Sequence, residues 1–152
     1  MKKVFLGIIA LFLVVSLTGC KTEKSYTYDV NTGDKIKVTI DTTDGYDYNE
    51  KDDEYIISKK DEDICKWIFA TMDNYNSYIE LYNNNTDATL IKDSSNDNIE
   101  YSIYRVNNTA ANMIEYDNFV KVKNSNTAII MGSLSEENME KCLELLTFEL
   151  AK

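Results

Sequence analysis

Hydrophobic and polar residues alternate in several short segments of this chain, and such alternation predicts β-strands. Ser25 to Val30 and Lys35 to Asp41 flank the turn sequence Asn31-Thr32-Gly33-Asp34, which predicts a β-hairpin. Asp41 to Glu54 is polar and acidic and predicts a loop. Further strands are predicted at Tyr55 to Ser58, Ile64 to Met72, Ala88 to Lys92, Ile99 to Val106, Met113 to Lys123 and Thr127 to Met131.

Two segments have the spacing of amphipathic helices. Tyr75 to Asn83 places three tyrosines and Ile79 on one stripe. Ser135 to Leu150 begins with acidic residues and repeats Met139, Leu143, Leu146 and Leu150 at helical spacing. Because consecutive strands joined by short turns pair antiparallel, the two helices are expected to cover sheet faces. We therefore predict an α+β fold, an antiparallel β-sheet covered by two helices, in one domain over residues 26–152.

The N-terminal residues have the pattern of a leader. Lys2 and Lys3 precede an uncharged apolar run from Val4 to Leu17, and a helix of that length falls short of a roughly 30 Å hydrocarbon core. Leu17-Thr18-Gly19-Cys20 resembles the cleavage box of bacterial lipoproteins. The resemblance implies a signal peptide at residues 1–19, a fatty-acylated Cys20 and a short tether over residues 20–25. A secreted protein cut nearby, with Cys20 incidental, is the alternative.

The lipoprotein resemblance also predicts a location. The mature domain would be anchored through lipid to the extracytoplasmic face of the cell membrane. The abundance of Asn, Lys, Tyr and Ile beside a single arginine, Arg105, is typical of low-GC genomes such as those of many Gram-positive bacteria.

The order of elements in the mature part has a second resemblance. A strand at Ile64 to Met72 runs into the Tyr75 to Tyr82 helix, and a hairpin precedes the Ser135 to Leu150 helix. From about Lys35 to Leu150 this layout resembles the PsbP-like superfamily, which includes an extrinsic subunit of the plant oxygen-evolving complex and a Ran-binding nuclear transport factor. The resemblance implies an α/β sandwich. The histidine-dependent ion role of the plant subunit does not transfer, because this chain has no histidine.

Composition and charge narrow the function. Without histidine, Ser-His and Cys-His nucleophiles and His-ligated zinc are excluded. The leader takes Lys2 and Lys3 with it, which leaves 14 basic against 26 acidic residues and a charge of about −12. Such a surface disfavours binding of nucleic acid and is repelled by anionic lipid, whereas it attracts a cationic partner. We therefore predict a non-enzymatic protein without a cofactor or a metal.

Four residues of the acidic loop are candidate partner contacts. Tyr46 and Tyr48 are tyrosines outside every predicted strand and helix, and Asp44 and Asp47 lie beside them. Rigid aromatic side chains with neighbouring carboxylates could bind a cationic partner or a glycan. The same tyrosines could equally fold back onto the sheet. The aspartates of this loop do not have EF-hand spacing, although weak calcium binding stays open.

The other two cysteines allow two interpretations. Cys65 falls in a predicted central strand and Cys142 on the predicted C-terminal helix. Both could be small buried hydrophobic residues, or they could form a disulfide if that helix covers that strand.

The combined prediction is a small lipid-anchored binding or accessory module. Its partner would be an unknown protein or envelope component on the extracytoplasmic face, with membrane contact through the lipid on Cys20. A solute- or cation-binding lipoprotein is the alternative, and a small envelope hydrolase using two carboxylates is the third.

Overall fold

The computed structural model describes residues 21–151, which contain ten strands and two helices. The helices are α1 (Met72–Asn83) and α2 (Glu136–Leu145), and the strands are β1 (Glu23–Asp29), β2 (Lys35–Asp41), β3 (Tyr46–Lys51), β4 (Glu54–Lys59), β5 (Glu62–Thr71), β6 (Ala88–Ser95), β7 (Ile99–Asn108), β8 (Met113–Val122), β9 (Thr127–Ser133) and β10 (Leu146–Leu150).

The strands form two antiparallel sheets. The small sheet has the order β1-β2-β10, and the large sheet has the order β3-β4-β5-β9-β8-β7-β6. Every strand pairing in residues 21–151 is antiparallel. The predicted α+β fold with antiparallel strands is confirmed, and the second, smaller sheet is an addition to it.

The two helices lie on opposite faces of the large sheet. On one face, Trp67 packs edge-on against Phe148 of the small sheet at 5.2 Å between ring centroids, and α2 contributes Met139 and Cys142 to the same core. On the other face, Phe119 packs against Tyr78 and Tyr82 of α1. The strands β5 and β8 contribute side chains to the cores on both faces of the large sheet, because successive side chains of a strand point to opposite faces.

The prediction of a loop over Asp41 to Glu54 was wrong. Tyr46–Lys51 forms β3, the edge strand of the large sheet, and pairs with β4. Asp52 and Asp53 both have positive φ (53° and 65°), as the two-residue hairpin turns that suit the twist of paired strands require. Aspartate tolerates this conformation, but it is a weaker hairpin signal than Asn-Gly.

The predicted C-terminal helix is too long. It ends at Leu145, and Leu146 is extended (φ −109°, ψ 134°), after which Leu146–Leu150 forms β10 on the free side of β2. Leu146 and Phe148 are buried and Leu150 is partly exposed. The leucine spacing fits a helix, but Leu146, Phe148 and Leu150 also alternate, and pairing with β2 decides between the two patterns.

Cys65 and Cys142 are free thiols in the core between β5 and α2. Hydrogen bonding to Cys142, together with burial, raises the pKa of the Cys65 thiol. The two side chains are therefore neighbours, as the prediction required for a disulfide, and both are shielded from solvent.

Candidate functional site

The four predicted contact residues differ in exposure. Asp44 lies in a short 3-10 turn (Thr43–Gly45) with φ 64°, and Asp47 lies on β3; both side chains are exposed. Tyr46 is buried and Tyr48 half-buried, on the face of β3 that meets the rest of the core. The structure thus places both tyrosines in packing. Their role as partner contacts stays a prediction.

The ring of Tyr46 is covered by cations of its own chain. The Nζ atom of Lys59 lies 4.3 Å from the ring centroid and that of Lys141 lies 5.9 Å away. Since an aromatic face attracts cations within about 6 Å, these two lysines occupy the interaction that a cationic partner would need.

Tyr48 joins the two sheets. Its hydroxyl is hydrogen-bonded to the hydroxyl of Tyr28, and its ring packs against Tyr26 at 5.1 Å and parallel to Tyr55 at 6.2 Å between centroids. Burial raises the pKa of Tyr48 and Tyr28, and that of Tyr55 to about 12. The cluster holds β1 against β3 and β4.

Cys20, the predicted lipidation site, lies outside the described residues. The chain is fixed soon after it, because the backbone N–H of Thr22 donates to Thr43 Oγ1 at 3.0 Å and Thr42 N–H donates to Thr22 O at 2.7 Å. Residues 23–25, which we assigned to the tether, belong to β1.

A pocket not predicted from the sequence lies on the α1 side of the large sheet. Lys66, Gly132 and Asp117 form one row across β5, β9 and β8, since Lys66 and Asp117 both pair with Gly132. Glycine has no side chain, so the row has a gap between two opposite charges. The resulting pocket has a volume of about 450 Å³. We call it the glycine pocket; it is lined mainly by Ile64, Lys66, Glu115, Asp117, Gly132 and Leu134.

Asp117 is the unusual side chain of this pocket. Its Oδ2 accepts a hydrogen bond from the Tyr82 hydroxyl at 2.7 Å, and its Oδ1 lies 3.5 Å from the position that a Cβ on Gly132 would take. Burial raises the pKa of Asp117; the hydrogen bond from Tyr82 opposes this effect and the charge of Glu115 adds to it. Asp117 forms no ion pair with any residue in the described part of the chain.

The surroundings of Asp117 favour a cation. Lys66 on the far side of Gly132 is exposed and paired with Asp63 at 3.5 Å, and within residues 21–151 neither Asp117 nor Glu115 forms an ion pair. A cationic group entering the pocket would neutralise the partly desolvated carboxylate, while Ile64 and Leu134 would contact an apolar stem. An ammonium or guanidinium on an aliphatic chain has both properties.

Two sequence features could have indicated this pocket. Gly132 is an isolated glycine in an apolar strand, which often marks a close approach by another molecule. Asp117 is a charged residue on the face of β8 that also carries Phe119. Neither feature shows that the two residues are neighbours, because only the pairing of β8 with β9 brings them together.

A second cleft, of about 280 Å³, lies between β7, α2 and β10. Ile99, Leu146 and Phe148 line it, and Lys92 forms an ion pair with Glu140 at 2.8 Å beside it. Its charged side chains compensate each other within the chain, so it is a weaker candidate than the glycine pocket.

No protein-family model, curated protein or solved structure matches this chain. In residues 21–151, neither helix is long and apolar enough to cross a membrane. The same residues contain no group of three or more Cys, Asp or Glu side chains placed to hold a metal ion.

Proposed function

We propose that the protein is a lipid-anchored, non-enzymatic binding module on the extracytoplasmic face of a bacterial membrane, and that its glycine pocket receives a cationic group of its partner. The leader and the cleavage-box sequence ending at Cys20 support the anchor. The chain has no histidine, the usual general acid or base, and its five glycines form no glycine-rich phosphate-binding loop. Both features support a binding role over catalysis.

The observation that carries the proposal is the position of Asp117. A partly buried carboxylate without a cationic partner is costly, and an apolar pocket beside it supplies both space and contact area. The mature charge of about −12 adds a long-range attraction that raises the association rate of a cationic partner.

The PsbP-like resemblance is part of the same proposal. The element order from β5 through α1 and from the β8–β9 hairpin into α2 supports it. The position of β10 in the small sheet is a departure from the layout on which the resemblance was based.

A second candidate, a solute-binding lipoprotein, is favoured by the volume of the pocket. About 450 Å³ lies within the range of small-molecule sites, so a free amine could occupy the pocket as well as a side chain of a protein. Both candidates use the same chemistry at Asp117, and only the source of the cation differs.

The proposal is tested with probes that imitate lysine and arginine side chains. The mature protein in mild detergent is titrated with n-butylammonium and with n-butylguanidinium, and amide shifts of Gly132 and Leu134 are followed by NMR. We expect saturable shifts for at least one cation and none for n-butanol, which has the same apolar stem without charge.

Two variants make this test specific to the pocket. Asp117→Asn keeps an acceptor for the Tyr82 hydroxyl and removes the charge, so the shifts should be lost. Asp47→Asn removes an exposed charge elsewhere and should leave them unchanged. Equal shifts in the protein and in Asp117→Asn would refute the assignment of this pocket.

A further inference from the structure

The position of the glycine pocket relative to the anchor restricts where its partner can be. Thr22 is fixed by hydrogen bonds to Thr42 and Thr43, and only Lys21 separates it from Cys20. Two residues span at most about 7 Å, so a lipid on Cys20 would hold this end of the domain at the membrane surface.

Strand register shows that the glycine pocket belongs to this anchored end. The turn that contains Thr43 leads directly into β3, whose first residue, Tyr46, pairs with Lys59; Lys59 in turn pairs with Glu62 at the start of β5. Asp63, the next residue, lines the pocket. The last residues of β9 and the first half of β8 lie at the same end, because β9 runs opposite to β5 and to β8.

The opposite end of the large sheet is remote from the anchor. There Thr71 pairs with Thr127, and the hydroxyl of Thr127 donates to Asp34 in the turn after β1. β1 itself runs from the anchored end to this distal end. A domain of about 130 residues has a diameter of roughly 35 Å, so the distal end would stand that far above the membrane.

The chemistry of the pocket at the anchored end is apolar and acidic. Leu134 beside the pocket is 67% exposed, the largest exposed fraction among the large hydrophobic side chains of residues 21–151. Asp63, Glu115 and Asp117 provide three carboxylates against the single ammonium of Lys66. This arrangement disfavours contact with an anionic lipid surface and favours an apolar segment that carries a basic residue.

We propose that the glycine pocket binds a basic, apolar segment of an integral membrane protein, presented next to the membrane beside the lipid anchor. The proposal rests on the lipid anchor and the cation site of the proposed function and adds the class of partner. Leu134 and Ile64 contact the apolar part of the segment, and its basic side chain reaches Asp117. A short tether favours this complex, because it keeps the pocket at the same height above the membrane as the partner's segment and so raises the effective concentration of that segment.

The experiment places a photo-crosslinking amino acid at Leu134 or, as a control, at Asn124 in the distal turn of the full-length protein in cells. We expect Leu134 to crosslink to an integral membrane protein with a basic residue within its crosslinked extracytoplasmic segment. Asn124 should give no such product, and Asp117→Asn should reduce the Leu134 product at least about five-fold.

A spacer tests the dependence on membrane distance. A 20-residue Gly/Ser segment inserted between Lys21 and Thr22 adds a root-mean-square length of about 25 Å, and we expect it to reduce the Leu134 product about five-fold or more. An unchanged yield with the spacer would overturn the proposal. A product with a secreted protein or with an aminated lipid headgroup would overturn it as well.

These outcomes are distinguishable from failure of the proposed function. If the unmodified protein carries no fatty acid, the anchor itself is wrong. If n-butylammonium and n-butylguanidinium do not shift Gly132 and Leu134, the cation site is wrong. If the lipid anchor and the cation site are both confirmed, a crosslinking yield that the spacer does not change excludes only the membrane-protein partner.

Discussion

At the scale of single residues, Asn118 is a buried amide that is only half satisfied. Its side chain is fully buried, its Nδ2 donates weakly to Met131 Sδ at 3.5 Å, and its Oδ1 has no partner in residues 21–151. A buried polar atom without a hydrogen bond costs about 1–3 kcal/mol.

We expect Asn118→Leu to stabilise the fold by about 1 kcal/mol, because an apolar side chain of similar shape removes the unsatisfied oxygen. Chemical denaturation measures the change. Asn118→Asp, which adds a buried charge in the same place, should be strongly destabilising. A decrease of more than about 1 kcal/mol in the unfolding free energy of Asn118→Leu would show that the amide makes a stabilising hydrogen bond.

Asp117 is expected to make the stability depend on pH in the opposite direction to a salt-bridged carboxylate. Burial raises the pKa of the folded state above the ordinary value, so between the two values the folded protein holds a proton that the unfolded chain has released. The contribution of Asp117 to stability is therefore complete below the unfolded pKa and is lost as pH rises through the folded pKa.

The variant Asp117→Asn isolates this effect. The difference in unfolding free energy between the protein and the variant should shift in favour of the variant as pH rises from about 3 to 7. Urea titrations at several pH values measure it. A difference that is constant over this range would mean that Asp117 titrates alike in both states.

At the scale of elements, local sequence patterns are sufficient to predict a strand pairing when the two strands are adjacent in sequence. The β1–β2, β6–β7 and β8–β9 hairpins and helix α1 are predictable because alternation, turn residues and a stripe of tyrosines are local signals. In α1, Thr71 is the N-cap, and its hydroxyl accepts from Asn74 N–H at 3.2 Å.

The missed elements depend on distant partners. The sequence predicts a loop at β3 because every residue of this strand except its two tyrosines is polar or charged, and only its pairing with β4 and the packing of Tyr46 and Tyr48 define it as a strand. The sequence predicts a helix at β10 because a local hydrophobic period cannot show pairing with β2, which lies more than 100 residues earlier. For the same reason the glycine pocket could not be predicted: Lys66 is far in sequence from Gly132 and Asp117.

The strand β10 is expected to contribute to stability mainly through Phe148, whereas the predicted helix would have placed Leu150 in the core. Phe148 is buried and packs edge-on against Trp67, whereas Leu150 is 37% exposed at the end of the strand. Phe148→Ala should cost about 3–5 kcal/mol, and Leu150→Ala less than about 1.5 kcal/mol. Thermal denaturation compares them. Equal losses would support a continuous helix, in which Leu150 lies on the buried stripe.

The tyrosines of β3 are expected to be structural. Tyr46 and Tyr48 contact Lys59, Lys141 and the Tyr28 hydroxyl, so replacing both by Ala removes packing between β3, α2 and β1. We expect a loss of several kcal/mol in unfolding free energy. Asp44→Asn with Asp47→Asn, both exposed, is the matched control and should be nearly neutral. A double alanine variant with an unchanged melting temperature would return these tyrosines to the list of partner contacts.

At the scale of the whole molecule, two sets of polar and aromatic contacts hold the β1–β2 hairpin of the small sheet against the large sheet. Asp34 Oδ2 accepts from Asn126 N–H at 2.7 Å and from Thr127 Oγ1 at 2.8 Å at the distal end. Tyr48, with Tyr26 and Tyr28 of β1, joins the sheets between that contact and the anchored end. These contacts, together with its pairing to β2, attach β1 to the rest of the domain.

The anchor is the last prediction, and it concerns where the whole protein resides. Each methylene of an acyl chain buried in the bilayer contributes about 0.8 kcal/mol, so two or three chains hold a protein firmly where one would not. We expect Cys20→Ala to leave the membrane fraction and appear outside the cell, or to accumulate with residues 1–19 still attached.

Cell fractionation, intact mass and labelling with radioactive fatty acid measure this outcome together. Ser25→Ala, a nearby substitution outside the cleavage box, is the control and should stay membrane-bound and labelled. Because Lys2, Lys3 and the run from Val4 to Leu17 are unchanged in both variants, export itself should be unaffected. Fatty acid on Cys20→Ala at the level of the unmodified protein would show that another residue carries the lipid, and the short tether from which we place the pocket beside the membrane would then be wrong.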